Sequence, residues 1–138
     1  MEEVSLILDT SFIIALNDAG DFNHKRAQSL KTRIEDKEFG RCCISDYIFD
    51  ELMNLMMARS IHNKKIMDIG DALLGDETIE LLKVDKEVFM QSWGLFKISS
   101  NLSFTDCTTI ILAKDFNVKN IASFDSDFDR FNMKRIQK

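Results

Sequence analysis

The sequence predicts an α/β fold, a mostly parallel sheet of four to five strands covered by helices on both faces. Three observations predict it. Short apolar runs alternate with longer segments of helical period along the chain, the pattern of strand–helix–strand units. The 138 residues contain no Pro and only 5 Gly, so nothing divides them into separate units, and a single domain spanning 1–138 is expected. The 45% hydrophobic content is enough for one buried core.

The elements follow in order. Residues 4–8, VSLIL, form an apolar run too short for a helical period and read as a first, central strand. Residues 12–16 open a helix that the turn Asp18-Ala19-Gly20-Asp21 breaks. Residues 23–36 are a polar helix with Ala27, Leu30 and Ile34 on one face. A second strand is predicted at 41–45, a strong helix at 46–59, and another at 62–74 ending at Gly75. A third strand at 78–84 precedes a helix over 87–99, weakened by Gly94. The helix over 105–115 is almost wholly apolar beyond its first turn, and strands at 120–124 and 133–136 close the chain.

Composition excludes several functions. No apolar run approaches the roughly 20 residues that span a membrane, and the start Met1-Glu2-Glu3 lacks the basic character of a signal peptide. Cys42, Cys43 and Cys107 have neither zinc-site spacing nor an even count, and their apolar neighbours make them buried free thiols. A cytoplasmic location is expected. A net charge of −5 argues against a broad basic nucleic-acid clamp, but suits carboxylates gathered round a cation.

Ligands of parallel sheets sit beyond the carboxyl ends of the strands, which draws attention to Asp9 and Asp125. Each candidate acid has a plain structural explanation as well. Asp9, Thr10 and Ser11 are all good N-cap residues. On a helical wheel from Ile48, Leu52 and Leu55 fall within about 40°, while Glu51 lies about 60° away, at the edge of the buried stripe. Asp50 points nearly opposite. Ser103 and Asp106 fit a capping box, and Asp106 shares a face with Ile110 and Ala113. Asp125, Asp127 and Asp129 resemble the start of a calcium loop, but Arg130 replaces the needed Gly and Ile136 the closing Glu. Asp9, Glu51, Asp106 and Asp125 could converge at one sheet edge, where their mutual repulsion calls for a cation. Oxygen-only ligands favour Mg²⁺ or Mn²⁺.

Other chemistries find little support. GxGxxG, GxxxxGK[ST] and G-x-S-x-G are absent, and His24 and His62 read as surface helix residues. Ser11 stands where a haloacid-dehalogenase phosphatase needs a second Asp, and Asp9-Thr10 lacks the acidic pair of a receiver domain.

The ordered set LDTS, SDYIFDELMNLMMAR, LSFTDCTTIILAK and IASFDSDF resembles the PIN-domain nucleases, especially their VapC-like toxin branch, over nearly the whole chain. The resemblance implies an α/β/α sandwich that cleaves RNA with Mg²⁺ or Mn²⁺. It implies Asp9, Glu51, Asp106 and Asp125 as catalytic acids. Asp9, Asp106 and Asp125 would be the principal metal ligands, with Glu51 and Asp127 as further candidates. Ser11 and Ser123 match hydroxyl positions that order the site, although Thr is commoner at the second. Lys25, Arg26, Arg59, Lys64 and Lys65 are local cations that could dock RNA, most of them also explicable as solvated helix residues. Many such relatives are held by a small antitoxin and many dimerise, so the resemblance also implies an antitoxin partner and a homodimer. Met53, Met56 and Met57 on the central helix would suit a partner, with burial as the plainer explanation. The alternative function is a non-catalytic PIN-like module that binds RNA or protein.

Overall fold

The structure, a computed structural model, describes residues 3–138; the first two residues of the acidic start lie outside the described residues. The chain runs β1 (Val4–Leu8), α1 (Thr10–Asn17), α2 (His24–Glu35), β2 (Arg41–Ser45), α3 (Asp46–Ala58) and α4 (Asn63–Gly75). It continues with β3 (Ile79–Leu82), α5 (Lys86–Ile98), α6 (Phe104–Asp115), β4 (Asn120–Ala122), a 3-10 turn (Ser126–Phe131) and β5 (Lys134–Ile136).

The five strands form one sheet in the order β3-β2-β1-β4-β5, and every pairing is parallel. β1 is central, and its last three residues, Leu6, Ile7 and Leu8, are fully buried, as a strand covered on both faces requires. Side chains alternate across the sheet. Leu8 and Cys42 face Phe12 and Ile13 of α1, Ile34 of α2 and Ile69 of α4. Ile7 and Cys43 face Thr109 and Leu112 of α6.

The chain moves outward from β1 through β2 to β3, then returns to place β4 on the other side of β1. This reversal leaves a crevice at the carboxyl ends of β1 and β4. The two loops that leave these strands carry Asp9 and Ser123.

Several expected boundaries shift. β3 and β4 are shorter than 78–84 and 120–124, so Asp125 opens the 3-10 turn rather than ending a strand. Phe128 is fully buried and anchors that turn in the core. His62 caps α4 by accepting from Lys64 N, and His24 is a half-buried tie, its Nδ1 lying 2.7 Å from Ala15 O. The three cysteines are buried and free, as expected. Met56 is buried and Met53 packs toward Gly70 of α4, leaving Met57 as the exposed methionine of the three. No helix among the described residues is long and apolar enough to cross a membrane.

Candidate active site

Asp9 continues the β1–β4 ladder, its N–H donating to Ala122 O at 3.0 Å, and occupies the N-cap position of α1. A capping role would send its side chain to the first turn of α1, but it makes no such bond. Instead Oδ2 accepts from Ser11 Oγ at 2.9 Å and Ser123 Oγ at 2.7 Å. The two hydroxyls are held in turn by the N–H groups of Phe124 and Asp125, each at 3.0 Å. Residues far apart in sequence thus fix one carboxylate oxygen. Oδ1 accepts from no side chain among the described residues and is left for another partner.

Three more acids share the cleft. α3, capped by Ser45 Oγ accepting from Ile48 N, carries Glu51 half-buried at its edge. At the start of α6, Ser103 and Asp106 form the expected capping box, and the same Asp106 lines the cleft. Capping and convergence therefore coexist in one residue. Asp125 caps the 3-10 turn, its Oδ1 accepting from Asp127 N at 2.9 Å. The cleft has a volume of about 320 Å³.

Burial pushes the Asp9 carboxyl above its ordinary value against the pull of the two serine hydroxyls, and the Glu51 charge adds to the rise. Burial raises Glu51 as well, with further repulsion from Asp106 and Asp125. Asp106 is pushed up to about 6, first by burial and then by the Asp9 charge. All three shifts have the sign expected of carboxylates crowded together without a cation.

Of the other predicted residues, Ser123 lies buried behind Asp9, whereas Asp127 does not line the cleft. Among the five candidate cations only Arg59 lines it. Lys64 pairs with Asp68, and Arg26 lies over the Phe124 ring. The cleft also recruits Thr10, Asp21 and Asn23, which the sequence reading did not place in the site. Thr10 and Thr105 place hydroxyls toward Glu51 without completing a hydrogen bond, and Thr10 Oγ1 is buried with no partner. A hydroxyl beside each acid, in DTS and FTD, was the available signal.

The donor set fits a hard divalent cation: carboxylates and hydroxyls, an orphaned Thr10 oxygen and no histidine or thiol lining the cleft. Among the described residues no three acidic, histidine or cysteine side chains stand close enough to enclose an ion.

The chain matches the PIN domain family over residues 6–133. It is 25% identical over 123 residues to the 23S rRNA-specific endonuclease VapC20 of Mycobacterium tuberculosis, an alignment covering 89% of this chain and 91% of that protein. The crystal structure of VapC20, described as a sarcin-ricin loop cleaving toxin, matches with a TM-score of 0.84 at 22% identity, over 97% of this chain and 100% of that one. DNA-bound VapBC from Salmonella typhimurium matches with a TM-score of 0.69 at 14% identity, over 96% of this chain and 97% of that one. The five-stranded parallel sheet is the fold these structures share. The chain belongs to the PIN domain family.

Proposed function

We propose that this single domain is an endoribonuclease that hydrolyses RNA phosphodiester bonds with Mg²⁺ or Mn²⁺, and that it is the toxin of a cytoplasmic toxin–antitoxin pair. The observation that carries the reading is the Asp9 carboxylate, turned away from its helix and clamped by Ser11 and Ser123 in a cleft with three other acids. Likeness to VapC20 makes ribosomal RNA the first substrate to try.

A bound divalent ion supplies positive charge to the transferring phosphate and acidifies water. Asp9, Asp106 and Asp125 would hold it directly or through water, with Glu51 as a further candidate, whereas Asp127 lies outside the cleft lining. Ser11 and Ser123 fix the rotamer of Asp9, and the buried β1 strand behind it keeps that position rigid. Glu51, its carboxyl held above the ordinary value by burial and by its acidic neighbours, is the proton-handling carboxylate of the cleft.

The antitoxin rests on the VapBC neighbours. The surface assigned to it is the mostly apolar groove of about 750 Å³ between α1, α2 and α4. A homodimer is assigned to the exposed face of α5, where Phe89, Met90, Trp93 and Ile98 lie in the open.

The test is cleavage of labelled single-stranded RNA and of ribosomal RNA in Mn²⁺, in Mg²⁺ and in EDTA, beside Asp9→Asn prepared identically. Cleavage that needs the ion and disappears in the variant is expected. Equal cleavage by both proteins, or none by either on both substrates, overturns the reading and favours the non-catalytic binding module.

A further inference from the structure

The loop between α1 and α2, residues 18–23, forms one lip of the acidic cleft, since Asp21 and Asn23 both line it. Between them Phe22 is 96% exposed. Exposing a phenyl ring costs hydrophobic free energy, and a loose loop would let it fold back. This loop is not loose. Gly20 N donates to Asp18 Oδ1 at 3.0 Å and Asn23 N to Asp21 Oδ1 at 2.8 Å. Arg59, just beyond α3, then joins its Nη1 to Asp18 at 2.8 Å and to Asp21 at 2.9 Å.

The surroundings of Phe22 distinguish it from a protein-binding patch. Its sequence neighbours Gly20, Asp21 and Asn23 are polar or small, so Phe22 is the one large apolar side chain of the loop. Protein interfaces need a contiguous apolar centre, whereas one exposed ring beside a cleft suffices to stack an unpaired base.

Resting on the ribonuclease reading, we infer that this loop grips RNA: Phe22 stacks on an unpaired nucleobase of the strand in the cleft. Arg59 is the positioning residue that holds the ring there. The loop around Phe22 is already pinned, so binding need order little beyond the ring itself.

The test compares wild type, Phe22→Ala, Phe22→Trp and Arg59→Ala. Binding of fluorescein-labelled single-stranded RNA is followed by anisotropy in EDTA, and cleavage kinetics are followed in Mn²⁺. Phe22→Ala should weaken binding and raise KM about 10-fold, the usual effect of losing one stacked base. Its kcat, its melting temperature and the salt dependence of binding should stay unchanged, because stacking carries no charge. Phe22→Trp should restore binding. Arg59→Ala should raise KM, and adding Phe22→Ala to it should change little more, since both act through one ring. Unchanged RNA affinity and KM in Phe22→Ala overturn the inference while leaving the nuclease reading intact. A changed mass in solution with unchanged RNA affinity reassigns Phe22 to a protein contact. A wild type that neither binds nor cuts RNA overturns the nuclease reading and the stacking lip with it.

Discussion

The carboxylate cleft and the outer face of α5 are the two places where the chain departs from an ordinary surface, and they do so in opposite ways. The cleft crowds Asp9, Glu51, Asp106 and Asp125 together. α5 buries Val88 and Ser92 but leaves Phe89, Met90, Trp93 and Ile98 in the open. Its rings join a wider aromatic group, with Trp93 stacked on Phe96 at 5.9 Å and Phe89 against Phe104 at 5.1 Å. The cost in the cleft is electrostatic, and cations of the proposed kind would relieve it. The cost on α5 is hydrophobic and only another surface relieves it. The nature of the unmet requirement therefore indicates the class of partner.

Trp93→Asp gives the sharpest separation of the two regions. It should raise the dissociation constant of self-association by about 30-fold or more, read by sedimentation, because a charge replaces a central aromatic. The melting-temperature gain on adding Mn²⁺ should survive. Loss of both responses together would mean that face and cleft form a single unit.

Ser123→Ala probes the support of Asp9. Outer partners of a metal ligand are worth about 10–100-fold in activity, and a loss of that size is expected with the fold intact by circular dichroism. Activity equal to wild type would show that Ser11 alone positions Asp9.

The smallest effect is on stability without metal. Burial and the Asp9 charge push the Asp106 carboxyl up to about 6 in the folded chain, above the 3.8 of an unperturbed Asp. Between these values the folded state binds more protons than the unfolded one, so stability rises as pH falls from 7 to about 5. Asp106→Asn should therefore stabilise the metal-free protein at pH 7 by about 1 kcal/mol after allowance for solvent screening. Much of that slope should vanish in the variant. A chemical-denaturation series across this range in EDTA, showing the opposite slope, would refute the crowding argument.

Much of this was legible in the chain. Alternation of short apolar runs with helical periods marked all five strands and six helices, because those signals are local. Ser103 and Asp106 announced their capping box for the same reason. The run Asp125, Asp127 and Asp129 reads as an acidic surface turn, but its 3-10 form was not legible, because it depends on burial of Phe128 in the core. The partner face was sought on the methionines of α3, yet the large open face is on α5. α5 is apolar nearly all round, and nothing in its sequence says which side the core will take.

The sequence by itself determined the elements, their order and the supply of acids at the positions that can become loop and helix starts. Tertiary structure alone decided that Asp9 turns from its helix to two serines, one of them 114 residues away. It also decided that Arg59 reaches back to Asp18 and Asp21, and that Asp127 stays out of the cleft. The physical reason is range. Periodicity and caps are written within a few residues, whereas convergence depends on which strands become neighbours, and only the folded sheet brings β1 beside β4.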